Sequence, residues 1–537
     1  MTDKELIIND IPAEKFEFAE NRDLSHDAKF DTKPVGYFRD AFRRFRRNKG
    51  SVVAGIIILI LLIYALLVPI ISSPVAKGVR DSYYAKLGPR TSWAHGLING
   101  STKKDYNENL LLNYYAMGVG AEYKYDAATG TEKHATFEEG AASYYQPVVK
   151  NRGQFTVQQG ANQVSMYSAN IDAYLGVGFI YKQLSASEYA DVVAYQEQSG
   201  IQVLYPMIDT NNEDYFGLGS TNEYPNYWYK ASKARNSKGA PLDENGKIQS
   251  LAKKGTVKYV DIYLRDDSGK PVYYIRNGGG TEETAGYKVR VLYYNYYRYL
   301  HGVEPNYILG TDSQGYDMAY RLATGMRLSF ILSILVSAIN FVIGALYGAV
   351  EGYYGGAIDL ILERVSDILV SVPFVVVATL FQLHLAQKVG AFPSLLFAFV
   401  MTGWIGTASR VRSQFYRFKN SEYVLAARTL GARDRRIMWK HIFPNSLGTL
   451  VTSSVLVIPG VIFTESMLSY LGIAQLGTAT STSLGTLLSE ASSLWNVGYP
   501  NLLIIPAVVI SLLMICFNLF GNGLRDAFNP TLRGADE

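Results

Sequence analysis

The sequence predicts an all-α bundle of six transmembrane helices with a mixed α/β domain inserted after the first helix. The first observation is that runs of membrane length and high apolar content occur near both ends of the 537-residue chain. The second is that the stretch 73–316 is polar and rich in tyrosine, with no run apolar enough to span a bilayer. About 20 apolar residues are needed to cross a hydrocarbon core of roughly 30 Å.

The first transmembrane helix is predicted at 49–72, after a cytoplasmic N-terminal tail at 1–48. Residues 52–71 are an almost unbroken apolar run. Short flanks rich in Lys and Arg stay on the cytoplasmic side, so the tail is expected inside. The tail has no apolar core near Met1 and therefore does not resemble a cleaved signal peptide. The basic residues directly before the span are Arg43, Arg44, Arg46, Arg47 and Lys49.

The stretch 73–316 is predicted to be an extracellular domain, because the first span leads out of the cell. Ser185 and Glu188 form a capping-box pattern that opens a helix ending at Gly200. The turn sequence at 266–269 separates two β-prone runs and predicts a hairpin between 257–264 and 271–275. Residues 289–300 are a further β-prone run.

Residues 317–528 are predicted to form a core of five further transmembrane helices, followed by a cytoplasmic C-terminal tail at 529–537. The loop 410–443 is expected in the cytoplasm, because nine Lys or Arg residues lie between Arg410 and Lys440. The loop 474–500 has no Lys or Arg and is expected outside. The predicted spans are 326–350, 357–385, 392–413, 444–471 and 502–520.

The cytoplasmic loop contains a predicted surface helix of about three turns at 422–430. Asn420 or Ser421 can cap its start and Gly431 can end it. An apolar stripe at helical spacing is then available to enter a protein groove, and two small residues allow another backbone to come close. From charge alone, an amphipathic helix resting on anionic lipid is an equal alternative. The stripe is Tyr423, Val424, Ala427 and Leu430, and the small residues are Ala426 and Ala427.

Patterns for catalysis and for cofactors are absent from the sequence. There is no phosphate-binding loop of the type G-x-x-x-x-G-K-[ST]. The six histidines are scattered and the single cysteine, Cys516, lies in an apolar run, so neither a metal site nor a disulfide framework is expected. The basic charge flanks apolar spans, which argues for topology and against a nucleic-acid partner.

The loop and four further segments resemble the permeases of bacterial ABC importers, of the oligopeptide and dipeptide OppC/DppC type. The loop resembles the family's "EAA" loop, with Leu425 in place of the usual glutamate, although Glu422 lies one turn earlier. Tyr316 and Leu484 also depart from the usual arginine and tryptophan. The residues that carry the resemblance elsewhere are Leu309 to Asp312, Gly315, Asp317, Arg321, Gly325, Arg327 and Ser329, then Arg364, Asp367 and Pro373, then Glu465 with Leu468 to Gly472, and finally Phe517 to Asp526 with Pro530.

The resemblance implies a permease subunit that forms half of a pathway for oligopeptides or dipeptides and contains no ATPase of its own. It implies four kinds of partner: a homologous second permease, two cytoplasmic ABC ATPases, an extracellular substrate-binding protein and membrane lipid. The ATPases would dock on the loop through Glu422, Tyr423, Val424, Ala426, Ala427, Leu430, Gly431 and Pro444. A permease for nickel or another small solute, and a secondary transporter, remain as alternatives.

Seven charged residues in or near the membrane are candidates for the pathway or its gate, because intramembrane charges are costly unless they are paired or hydrated. Arg364 and Asp367 are expected to form a structural ion pair. Glu465 is expected either to meet a buried donor or to line the pathway. The remaining four, Asp312, Asp317, Arg321 and Arg327, are expected to fix the fold where the chain re-enters the membrane.

Overall fold

The computed structural model describes residues 37–72, 80–91, 98–135, 137–160, 162–211, 226, 262–277, 286–477, 482–494 and 499–528. The tail residues 1–36 and 529–537, Pro530 included, lie outside this part of the chain, as do residues 257–261 of the predicted hairpin. Within the described residues the chain is mostly helical, and its strands all lie between Ser101 and Leu292.

The N-terminal helices are α1 (Tyr37–Arg47) and α2 (Lys49–Ile71). α2 coincides with the predicted first span. Asn48 separates the two helices with an extended backbone, and its side chain accepts a hydrogen bond from the Ser51 amide. Such an N-cap satisfies one of the free amides of the first turn.

In its described residues, the region between α2 and the bundle contains nine strands in three antiparallel sheets. The strands are β1 (Ser101–Asn107), β2 (Lys124–Asp126), β3 (Thr131–Lys133), β4 (Val148–Gln159), β5 (Asn162–Asp172), β6 (Phe179–Leu184), β7 (Leu204–Tyr205), β8 (Tyr274–Asn277) and β9 (Gly286–Leu292). The order of strands in the three sheets is β1-β5-β4, β2-β3 and β6-β9-β7, and β8 pairs with β9. The helices of this region are α3 (Glu108–Ala121), α4 (Phe137–Ala141), α5 (Ala186–Ser199) and α6 (Tyr293–His301).

Of the three local predictions in this region, the capping box holds, the hairpin is supported only at its turn because β8 pairs with β9, and the third is wrong in part. The capping box of Ser185 and Glu188 is formed, and the helix ends at Ser199 before Gly200. The predicted turn is present, with the Val272 amide bonded to the Leu264 carbonyl at 2.9 Å. The prediction of a strand over the run 289–300 is wrong after Leu292, because the helix α6 begins at the next residue. There, tyrosine burial against other parts of the chain outweighs the strand preference of aromatic residues.

Among the residues that the structure describes, five helical stretches are long and apolar enough to cross a membrane, and a sixth is a pair bent by 69°. The pair is Gly356–Val370 with Phe374–Val389, and the bend falls at Pro373, whose ring cannot continue the hydrogen-bonding pattern of the preceding helix. The other five are Lys49–Ile71, Met318–Tyr354, Ala391–Phe418, Asp434–Tyr470 and Pro500–Phe528. Apart from the first, the predicted spans were too short: the second stretch begins eight residues before 326, and the fifth begins ten residues before 444.

The individual helices of this part are α7 (Met318–Tyr354), α8 (Gly356–Val370), α9 (Phe374–Leu380), α10 (Ala386–Val389), α11 (Ala391–Gly403), α12 (Ile405–Phe418), α13 (Glu422–Thr429), α14 (Asp434–Arg436), α15 (Phe443–Val455), α16 (Val457–Tyr470), α17 (Leu484–Ser492) and α18 (Pro500–Phe528). Two π-helical segments, Phe381–Leu385 and Ile437–Ile442, continue α9 and α14.

The long helix α7 packs against α12 through a stripe of glycines. A Cβ added to Gly344 would lie 2.8 Å from the Trp404 carbonyl oxygen, and one added to Gly352 would lie 2.6 Å from the Arg412 carbonyl oxygen. A Cβ on Gly348 would collide with the Ala408 backbone. The absence of side chains at these positions therefore lets the two helices approach closely.

The strand-containing region is fastened to the beginning of α7. The Lys86 amide donates to the Asp312 carbonyl at 2.8 Å, and the Leu87 amide donates to the Thr311 hydroxyl at 2.9 Å. On the other side, the Lys104 ammonium donates to the hydroxyl of Tyr499 at 2.6 Å, directly before α18. These contacts tie the region to two helix starts of the bundle.

Candidate functional site

The short helix α13 lies between the fourth and fifth helical stretches, where the surface helix was predicted. It spans eight residues, about two turns, and is shorter than expected. Ser421 occupies the N-cap position, directly before the helix. Its hydroxyl bonds to the Phe418 carbonyl and therefore does not cap an amide of the helix. Gly431 follows with a φ of 81°, so its predicted role in ending the helix is confirmed.

A single apolar side chain attaches α13 to its own bundle. Val424 is fully buried in a cluster with Val411 and Phe415 of α12, Ile437 and Ile442. Val424 therefore faces the bundle and is not available to a partner. Of the predicted apolar stripe, only Tyr423, Ala427 and Leu430 remain for such a contact.

The opposite side of α13 is open to solvent. Leu430 is 88% exposed and Tyr423 is 39% exposed, and Leu425 between them is 44% exposed. Glu422 and Ala426 are exposed, and Ala427 is half-buried. Two leucines, a tyrosine and small residues on one surface can contact a protein groove, since backbone and side chain are both accessible there.

Tyr353, at the end of α7, connects the loop to the bundle by polar contacts. Its hydroxyl donates to the Asp434 carboxylate at 2.5 Å, and Arg428 reaches the same hydroxyl at 3.5 Å. A displacement of α13 would therefore act on α7 and on the start of the fifth stretch together. Pro444 is exposed inside that stretch, directly after the π-helical segment, and not at the start of the span, where the prediction placed it.

A buried ion cluster stands at the other end of α7. The Arg321 guanidinium pairs with Asp312 and also donates to Glu490 of α17 at 2.9 and 3.2 Å. Asp312 additionally accepts amide hydrogens from Gln314 and Tyr316. The cluster thus joins the re-entry loop, α7 and α17, and the structural role expected of Asp312 and Arg321 agrees with these contacts.

Asp317 caps the start of α7. Its carboxylate accepts from the amides of Ala319 and Tyr320, at 2.7 and 3.3 Å. Burial raises the pKa of Asp317 above its usual value, although the two amide donors act in the opposite direction. Arg327, almost three turns further along α7, is half-buried and makes no ion pair with any residue that the structure describes.

The remaining three candidates lie in two different environments. Arg364 and Asp367 pair with each other at 3.1 Å, as predicted, and their side chains are 72% and 57% exposed. Glu465 is fully buried on α16 and accepts hydrogen bonds from Ser329 and Ser469 at 2.9 and 3.0 Å. Its buried donors are therefore serine hydroxyls.

Three functional candidates were not found from the sequence. Glu490 completes the ion cluster of Arg321, and Tyr353 holds the loop. Arg412 of α12 binds Asp359 at 2.6 and 2.8 Å and Glu363 at 3.0 and 3.1 Å, which fixes α8 against α12. Each of these contacts joins residues that are distant in sequence, so no local pattern signals them. Among the described residues, no group of three or more His, Cys, Asp or Glu side chains is placed to hold a metal ion.

Two family models match the chain on either side of the strand-containing region. Residues 36–89 match the N-terminal transmembrane domain of oligopeptide transport permease C. Residues 341–534 match the inner membrane component of binding-protein-dependent transport systems.

Curated relatives show the same similarity. The dipeptide transport system permease protein DppC of Bacillus subtilis (strain 168) is 38% identical over 230 residues, which are 42% of this chain and 68% of the relative. The oligopeptide permease protein OppC of the same organism is 39% identical over 224 residues, 42% of this chain and 72% of the relative. A solved structure of the MetNI methionine ABC transporter in an inward-facing conformation covers 40% of this chain and 98% of its own, with 17% identity and a TM-score of 0.33.

Proposed function

The chain belongs to the family of binding-protein-dependent inner membrane transport components, and we propose that it forms half of the pathway of an ATP-driven importer of oligopeptides or dipeptides. It is a multi-pass membrane protein and a transport subunit, not an enzyme. Relatives named as dipeptide and oligopeptide permeases support the peptide substrate. ATP hydrolysis belongs to separate subunits.

We propose a topology of six spans in which the bent pair α8 to α10 counts as one. The N-terminal residues 1–48, the loop 410–443 and the tail 529–537 then lie in the cytoplasm, and the inserted domain at 73–316 lies outside. The distribution of charge supports this orientation, because both Arg39–Lys49 and the loop are basic. The outer domain is proposed to contact a substrate-binding protein.

The proposal rests on the way in which α13 is attached to the bundle. One face is anchored by Val424, and the other presents Tyr423, Ala426 and Leu430 to a partner. We propose that two cytoplasmic ATPases, shared with a homologous second permease, dock on this face and on the equivalent helix of that permease. Glu422, Ala427, Gly431 and Pro444 belong to the same docking proposal, with Pro444 acting at a distance through the fifth stretch.

Force on α13 has a path into the bundle through Tyr353 and the Val424 cluster. Coupling requires that the outward-open and inward-open states differ in their contacts at this helix. At the outer end, Asp312, Asp317 and Arg321 are proposed to hold the gate region, with Glu490 as their partner on α17. Arg327, Arg364, Asp367 and Glu465 are proposed as pathway or gate residues, since intramembrane charges commonly serve such roles.

The proposal is tested by reconstituting the chain with its second permease and ATPases in proteoliposomes that carry the binding protein. We expect peptide uptake to require ATP, and Ala427→Asp to abolish uptake and binding of the ATPases without loss of membrane insertion. Glu188→Gln, in the outer domain, is the control and should behave as wild type. Uptake driven by a proton or sodium gradient without ATP would instead support a secondary transporter, and uptake of nickel without peptide would support the other family substrate.

A further inference from the structure

Helix α1 presents, at the cytoplasmic end of the bundle, a basic face that no described residue pairs with. Arg39, Phe42, Arg43 and Arg46 follow the i, i+3, i+4, i+7 spacing and so share one side of the helix. All four are exposed, Phe42 to 69%. The three arginines make no ion pair with the described residues. Asp40, the one acid of the helix, is paired with Arg44 at 2.8 Å.

The opposite side of α1 is fixed to the bundle. Ala41 is 1% exposed, and the Phe45 ring lies 5.3 Å from the ring of Phe520 on α18. A Cβ added to Gly523 of α18 would meet both Phe45 and Ser51, which are six positions apart along the chain. The helix is interrupted at Asn48, whose backbone is extended, and α1 packs beside the end of α18.

We propose that this face, Arg39, Phe42, Arg43 and Arg46, binds the anionic phospholipid headgroups of the cytoplasmic leaflet. Its position supports this occupant, because α2 enters the membrane two residues after α1 ends. Its chemistry does so too: arginines bind phosphates, while an aromatic ring between them enters the boundary of headgroups and acyl chains.

The docking face of α13 is a different surface. α13 is anchored by Val424 among residues of α7, α12 and the fifth stretch, whereas α1 packs on α2 and α18. An acidic protein surface would match the arginines but would leave Phe42 unmatched. A lipid headgroup layer matches both, and each basic residue near such a surface strengthens binding by about fivefold.

The test measures binding of phosphatidylglycerol and of phosphatidylcholine with identical acyl chains to the purified full chain in detergent, by native mass spectrometry. We expect wild type to prefer phosphatidylglycerol. The triple variant Arg39→Gln, Arg43→Gln, Arg46→Gln should weaken phosphatidylglycerol binding by roughly a hundredfold, from about fivefold per charge, and leave phosphatidylcholine binding unchanged. The corresponding triple lysine variant should keep most of the preference.

The control is a triple glutamine variant of exposed lysines in the strand-containing region, Lys124, Lys150 and Lys270, which should bind as wild type. If the Arg triple variant does not fold, each single Arg→Gln variant should still lose about fivefold. Equal binding of the two lipids by wild type would overturn the proposal. So would unchanged phosphatidylglycerol binding by the Arg variants together with loss of the co-purifying ATPases, which would assign the face to a protein partner.

Discussion

Replacing Gly431 tests whether the native end of α13 requires a residue that adopts the left-handed backbone conformation at this position. Its φ of 81° lies in the left-handed region, and a Cβ at this position would meet nothing within 4 Å. A substitution there therefore causes strain without a collision inside the chain. The left-handed conformation costs a residue with a Cβ roughly 1–2 kcal/mol, and Asn tolerates it best. A cost of that size lowers the equilibrium ratio of the native loop conformation to its alternatives by about five- to thirtyfold.

We expect ATP-driven uptake to fall in the order Gly431→Asn, Gly431→Ala, Gly431→Val. The Ala variant should lose about five- to thirtyfold where docking needs the native loop, and the β-branched Val variant should lose more, because bulky residues avoid this region. Uptake is measured in proteoliposomes at equal amounts of inserted protein. Gly460→Ala is the matched control, since its surroundings are also open but its φ is not positive.

The order of uptake activity among the three variants distinguishes backbone strain at residue 431 from steric obstruction of a docked partner. Asn is larger than Ala, so obstruction would make Gly431→Asn the worse of the two. That order, or full activity of Gly431→Val, would refute the proposed dependence on backbone conformation.

Three further predictions concern the bundle and the outer domain. Arg321→Ala should cost about 3–5 kcal/mol, because it leaves Asp312 buried without its cation, whereas Glu490→Gln should cost less; thermal unfolding in detergent compares them, and an equal loss would contradict the cluster as described. Gly348→Val should prevent folding because its side chain would strike the Ala408 backbone, while Gly460→Val should insert normally, as judged by monodisperse elution. The pKa of Glu132 is held below its usual 4.5 by the hydrogen bond from Arg265, so the stability that this pair contributes is complete above that pH and is lost as the pH falls further. Arg265→Gln should remove this part of the acid dependence of unfolding, and an unchanged pH profile would contradict it.

The membrane helices were predictable because their signal is local. An apolar run of sufficient length and the charges that flank it identified the five long helical stretches and the bent pair that the described residues contain. Their ends were not predictable, because α7, α12 and the fifth stretch continue beyond the apolar run into polar turns that pack on neighbouring helices. The bend in the third stretch follows from Pro373, although its angle does not.

The candidate site was predictable in position and less so in orientation. The sequence located α13 and its terminal glycine. It did not indicate that Val424 faces the bundle, because periodicity alone does not say which apolar residue is buried by the chain itself and which by a partner. Glu490, Tyr353 and Arg412 were missed because their contacts join helices that are far apart in sequence. The strand expected at 293–300 was wrong because the tyrosines there are buried by packing within the strand-containing region.

A disulfide crosslink from α13 to the ATPase addresses the docking proposal directly. Cys516 is the only cysteine and is buried, so Cys516→Ser gives a background without thiols. In that background, Leu430→Cys should crosslink to a cysteine in the groove of the co-purified ATPase, with a yield that changes with ATP. Ile308→Cys, exposed near the opposite end of α7, should give no crosslink to it. Absence of the Leu430 crosslink during active uptake, or an equal crosslink from Ile308, would contradict the placement of the ATPase on α13.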